Sequence, residues 1–271
     1  MPELFSAPAL QHILDKRRRD ALVAVPYFDG LLAGDLEALV ESFAGQPELH
    51  DPLHGRIRGV AAFRTFANET NSWLRERHAW VEDVQHVVLA QRGFEEVILH
   101  LDGDQHAVHL PVAVLADRTV DGRIEELRIY FSTRVLTGRS AHRPPLLQGD
   151  PALKVPDDVA AYVGACADGD VDAIVATFER DGMVRDWSDA GQHRHTGHAG
   201  LHGFYEGVFG DGGLRMEICA LVDDGHRCSL EYNHAQRGEK TVLPQAGVAA
   251  FVRGATGAFS QVHVYDDTAT A

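Results

Sequence analysis

The strongest constraint on how this chain folds is that its pattern occurs twice. Tyr27, Asp35, Phe43 and Asp51 return as Tyr162, Asp170, Phe178 and Asp186, each at an offset of 135 residues. An offset that does not drift across four landmarks marks an internal repeat, so one fold has to serve both halves. Each copy carries a glycine-aspartate pair, Gly34-Asp35 and Gly169-Asp170, between two apolar helical patterns. Glycine ends the first helix, and the aspartate carboxylate accepts from the free amides that open the second. Leu36, Leu39, Val40 and Phe43 then fall at i, i+3, i+4 and i+7, and Val171, Ile174, Val175 and Phe178 repeat the stripe.

A third helical pattern runs from Val60 to Leu74, and after Trp80 the apolar period falls from 3.6 to 2. Strands are expected over 81–88, 94–101, 107–116 and 124–133, and again over 214–222, 227–234, 241–252 and 258–266. Three helices followed by short strands with glycine-rich turns predict an α+β domain on an antiparallel sheet. Arg143-Pro144-Pro145, Gly149-Asp150-Pro151 and Val155-Pro156 punctuate the join. The expected division is a domain over 15–138, a linker over 139–154 and a second domain over 155–268.

Tyr27, Asp35, Asp51 and Pro52, with the glycine-aspartate corner between them, form a spacing that resembles the ketosteroid isomerase branch of the NTF2-like superfamily. That branch includes the SnoaL-like polyketide cyclases. Tyr162, Asp170 and Asp186 repeat the pattern, with Trp187 in place of the proline. The resemblance implies two cone-shaped domains, each with three helices on a curved antiparallel sheet, packed as an intrachain pseudo-dimer that could pair again as a homodimer. It implies the fold more strongly than the reaction, because this superfamily hosts many chemistries.

Composition narrows the partners. A formal net charge of −15 argues against a nucleic-acid surface, and no stretch has the length of a membrane span. The first twenty residues lack the apolar core of a secretory signal, so a cytoplasmic location is expected. Cys166, Cys219 and Cys228 fit no zinc spacing and read as reduced, buried thiols. His193, His195, His198 and His202 cluster, but without a partner acid or thiol at ligand spacing they read as solvent-facing imidazoles. No phosphate loop, dinucleotide fingerprint or nucleophile elbow is present, so no cofactor is expected.

The candidate catalytic residues are Asp186 with Tyr162, Asp51 with Tyr27, and Glu231. An aspartate in a partly apolar cleft can act as a general base, and a facing tyrosine can donate to a developing enolate oxygen. The resemblance implies a second acid in the oxyanion site, but counting back from the last turn places His109 and Gln245 there. Trp187, Tyr205 and His50 complete the candidate binding set. A plainer reading stands beside this one: Asp51 before Pro52 suits a turn, and tyrosines in a first helix suit a core. Glu231, aligned with Leu99, is either a second acid or a residue of the outer sheet face. The expected activity is acid/base chemistry on a small apolar carbonyl compound, namely isomerisation, aldol-type cyclisation or dehydration. Epoxide opening, with Glu231 or Asp266 as the further acid, and a non-catalytic binding module are the alternatives.

Overall fold

The computed structural model describes residues 27–103, 107–186, 193–210 and 212–266, without the side chains of Tyr27, Asp29 and His193. The first half carries helices α1 (Tyr27–Ala33), α2 (Leu36–Glu41) and α3 (Val60–Glu76). Its strands are β1 (Glu48–Asp51), β2 (Gly55–Arg58), β3 (Trp80–Val88), β4 (Arg92–Leu101), β5 (Val108–Arg118) and β6 (Ile124–Tyr130). A single turn, α4 (Arg134–Thr137), follows. The second half carries α5 (Asp157–Asp168), α6 (Val171–Ala176) and α7 (Gly197–Phe209). Its strands are β7 (Phe178–Asp186), β8 (His193–Thr196), β9 (Leu214–Asp223), β10 (Arg227–Arg237), β11 (Lys240–Arg253) and β12 (Phe259–Tyr265).

The corners form as the sequence requires. Gly34 and Gly169 take φ of +74° and +68°, a region open to glycine at little cost. The Asp35 and Asp170 carboxylates accept from the amides of Ala38 at 3.2 Å and Ala173 at 3.0 Å. The two sheets have the same order, β2-β1-β6-β5-β4-β3 and β8-β7-β12-β11-β10-β9. The expected antiparallel sheet is corrected for the second half: β7 and β12 pair in parallel, so that sheet is mixed. The repeat reaches the irregularities as well. β4 opposes Glu96 to Gln85 and then skips Val84, while β10 opposes Glu231 to Ala220 and then skips Cys219. The bulge therefore recurs at the same offset of 135, and the buried counterpart of Glu231 is Glu96, not Leu99.

Packing divides the chain into two compact units, the second comprising His50–Gly55, Leu110–Ala113 and Ile129–Ala271. Within the first, Phe43 meets Phe63 edge to face at 5.2 Å. Within the second, Tyr162, Phe178, Phe251 and Phe259 form an edge-to-face cluster between the helices and one face of the sheet. The join also packs on this unit: the Arg143 and Leu147 carbonyls accept from Ala246 N and Asn233 Nδ2, and Asp150 N donates to the Ile218 carbonyl. The residues between the repeats are thus bonded along β9, β10 and β11. Cys166, Cys219 and Cys228 are free and buried. Among the described residues no helix is long and apolar enough to cross a membrane.

One clamp sets the position of α5, the helix that carries Tyr162. Arg253 at the end of β11 donates to Asp158 on α5 at 2.5 and 3.1 Å, and to Asp223 on β9 at 2.8 and 3.2 Å. Burial works against the Asp158 charge, but the bonds from Arg253 outweigh it and hold the carboxyl below its ordinary range. Removing one partner of such a network strands the others. Arg253→Met is expected to cost about 2–4 kcal/mol in urea unfolding, by analogy with broken partly buried ion pairs. A midpoint and slope unchanged from wild type would show that the clamp does not anchor α5.

Candidate active site

Residues alternate across a strand, so the core membership of one residue assigns its neighbours. Cys228, Leu230 and Tyr232 of β10 pack in the helix-facing core with Ala249, Phe251, Val262 and Val184. His234 and Asp186, two residues further along β10 and β7, and Gln245, opposite His234 on β11, fall on that face. Asp266, just beyond β12, joins them. Its carboxylate accepts from three side chains: Tyr232 Oη at 3.3 Å, His234 Nε2 at 3.0 Å, and Gln245 Nε2. All four residues are buried. Because Nε2 donates to the carboxylate, the neutral His234 ring has its lone pair on Nδ1. That nitrogen is buried and has no hydrogen-bond partner among the described residues.

On the same face, Tyr162 of α5 and Tyr205 of α7 join their hydroxyls at 3.0 Å. Asp186 ends β7, opposite Val264 of β12. Burial is the main reason that the Tyr162, Tyr205 and Tyr232 phenols rise well above the usual tyrosine value. The Asp186 charge raises Tyr205 and Tyr232 further. All three phenols stay protonated, as a donor to an oxyanion must. Burial also pushes the Cys166 thiol up to about 12, which leaves it inert as a nucleophile.

The other candidates are dispersed. Glu231 is buried on the opposite face of β10 and accepts from Tyr130 Oη at 2.8 Å, so it does not share the Asp186 face. Asp51 holds a turn: one carboxylate oxygen accepts from the amides of Leu53 and His54 at 2.8 and 2.9 Å and contacts His54 Nδ1 at 2.8 Å. The His50 carbonyl accepts from Arg143. His109 is exposed and bonded to His100. Trp187 and the side chain of Tyr27 lie outside the described residues.

His234 was not among the residues singled out from sequence, although a signal for it existed. At the offset of 135 that the sheets obey, His234, Gln245 and Asp266 correspond to Leu99, Leu110 and Phe131. Three polar residues in one copy replace three apolar residues in the other, and all three converge on one carboxylate.

Residues 159–265 match the family model of the SnoaL-like domain. That stretch of the second half is similar to SnoaL-like domains. The first half shares its strand order and bulge, so the chain is a tandem of two copies of one α+β fold. Among curated proteins nothing matches significantly. Solved structures resemble one half at a time. One is SalBIII, an epoxide hydrolase/cyclase-like enzyme of pyran ring formation in the polyether salinomycin, with 18% identity over 43% of this chain and 92% of its own and a TM-score of 0.36. A Sinorhizobium meliloti protein described as a polyketide cyclase has 22% identity over 41% and 94%, with a TM-score of 0.34. A Catenulispora acidiphila protein of ketosteroid isomerase-like fold, solved with trimethylamine, has 19% identity over 42% and 88%, with a TM-score of 0.35.

The buried phenols of the second half make its stability sensitive to alkali. An unfolded tyrosine ionises near pH 10, whereas these three are held neutral well above it. Their contribution is complete below about pH 10 and is lost as pH rises towards the folded values, because the unfolded chain binds fewer protons there. Unfolding free energy is expected to fall steeply above about pH 10, and less steeply in Tyr205→Phe. Parallel alkaline limbs in wild type and variant would contradict this.

Proposed function

We propose that the SnoaL-like domain is an acid/base enzyme for a small apolar carbonyl compound, and that the first domain is its structural partner. The observation that carries this reading is the hydrogen-bonded set around Asp266, on the same sheet face as Asp186 and the Tyr162–Tyr205 hydroxyl pair, where the first domain has leucine and phenylalanine.

The chemistry follows from the groups. The Asp186 carboxylate takes a proton from the carbon next to the carbonyl. The C–H electron pair moves into the new C–C double bond, and the carbonyl π pair moves onto oxygen. Tyr205 or Tyr162 donates a hydrogen bond to that oxygen and remains protonated, because burial holds its pKa high. Protonated Asp186 returns the proton to the original or a conjugated carbon, which completes isomerisation. Elimination or aldol-type closure needs a second group to move a proton at oxygen. His234 Nδ1 is suited to that step, with Asp266 holding the ring in the required tautomer.

A second reading is epoxide opening. It is favoured by one observation: Asp266, unlike Glu231, is a further carboxyl on the Asp186 face. The Asp266–His234 pair would then deprotonate a water that attacks carbon, while a protonated Asp186 delivers its proton to the epoxide oxygen.

The two readings separate in heavy water. Deuterium incorporation into a panel of apolar enolisable ketones is expected for wild type. Asp186→Asn should lower it about 10²–10⁴-fold, the usual worth of a general base. Asp51→Asn, which removes only a turn acceptor, should leave the rate unchanged. No incorporation in wild type, with ¹⁸O from water appearing in diols made from apolar epoxides, would replace the first reading by the second. Neither activity would point to a binding module.

A further inference from the structure

A second group of side chains, in the first domain and away from this site, is arranged like two ligands of a metal centre with their outer support. His100 of β4 and His109 of β5 face each other through their Nδ1 atoms at 2.7 Å. On its other side, His100 Nε2 lies 2.7 Å from Glu82 Oε2 of β3. Trp80, opposite His100 in the β3–β4 register, stacks flat on the imidazole, with ring centres 3.7 Å apart and planes 2° from parallel. His109 meets His100 edge-on at 76°.

The tautomers follow from these contacts. A carboxylate only accepts, so His100 Nε2 carries a proton and donates a hydrogen bond to Glu82. The neutral His100 ring then presents a lone pair at Nδ1. At 2.7 Å the matching nitrogen of His109 donates its proton to that lone pair, and moving this proton to its Nε2 frees a second lone pair for an ion. A carboxylate that fixes the tautomer of an imidazole and raises its basicity is the usual outer support of a histidine metal ligand. Here that support is present before any ion, and the Trp80 stack fixes the ring plane as well.

We propose that His100 Nδ1 and His109 Nδ1 form a surface site for a divalent transition ion that prefers imidazole, with water completing its coordination. Copper(II), nickel(II) and zinc(II) suit the donor set, and copper should bind most tightly. Metal–nitrogen bonds of about 2.0–2.1 Å at a tetrahedral angle would separate the two nitrogens by about 3.3 Å. His109 would therefore draw back by roughly half an ångström. It is exposed and free to do so, whereas His100 is held by Glu82 and Trp80. The negative charge of Glu82 and of the whole chain favours the ion.

Trp80 is a built-in reporter, since a copper or nickel ion bound to a ring stacked on it should quench its fluorescence. Titration of the full chain with copper(II) and with nickel(II), followed by tryptophan fluorescence and calorimetry, tests the site. Wild type is expected to bind an ion with quenching that Trp80→Phe removes. His109→Ala, at an exposed position, should abolish this binding event and the quenching. Glu82→Gln should weaken binding about 10–100-fold without abolishing it. Retention of the same affinity and quenching in His109→Ala would overturn the proposal, as would absence of a saturable quenching phase in wild type at millimolar metal. An equal affinity in Glu82→Gln would overturn the assigned role of the carboxylate.

Discussion

The parallel pairing of β7 with β12 is the contact on which the second domain depends. These are its first long strand and its last, and one helix, α7, and four other strands lie between them in sequence. Setting Val264 beside Asp186 brings the two ends of the domain into register and leaves Asp186 and Asp266 on one face of neighbouring strands. The glycine-aspartate corner and the Arg253 clamp then fix α5 over that face, with Tyr162 pointing into it. A one-residue slip in the pairing would send Asp186 to the other side of the sheet, away from both tyrosines.

The two halves differ in what one sheet face holds. The same sheet positions hold Leu99, Leu110 and Phe131 in one copy and His234, Gln245 and Asp266 in the other. Burying a carboxylate, an imidazole and an amide costs free energy unless their polar atoms find partners. Here nearly all do: Asp266 collects three donors, and the His234 Nδ1 lone pair is the atom left over. A sheet stabilised only by packing would keep the apolar set, as the first half does. The exception in the second half is where a function that offsets its cost is to be sought.

Much of this was legible in the residues. The repeat, both corners and the three helices of each copy follow from glycine, aspartate and a 3.6-residue stripe. The α+β class follows from the change of period after Trp80. The faces of the strands were not legible, because alternation gives two sides without saying which meets the helices. Glu231 therefore read as a candidate acid, although it lies on the far face with Tyr130. The partner of Gln245 was displaced by one residue to His109 for a related reason. Landmarks in the helices do not carry alignment across turns, and only the shared bulge shows that the offset stays at 135 through the sheet. Asp51 matched the spacing of a catalytic aspartate but meets the geometry of a turn, a distinction made by the amides of Leu53 and His54.

The central claim is the proposal that one of the two repeats holds the working site. A crystal structure with a planar apolar phenol, which mimics an enolate in shape and oxygen position, tests this most directly. The account predicts density in the second domain, with the phenol oxygen in hydrogen-bond reach of Tyr205 or Tyr162 and the ring between Asp186 and the Asp266–His234 pair. Density elsewhere in the chain, or this site left empty at saturating phenol, would contradict it.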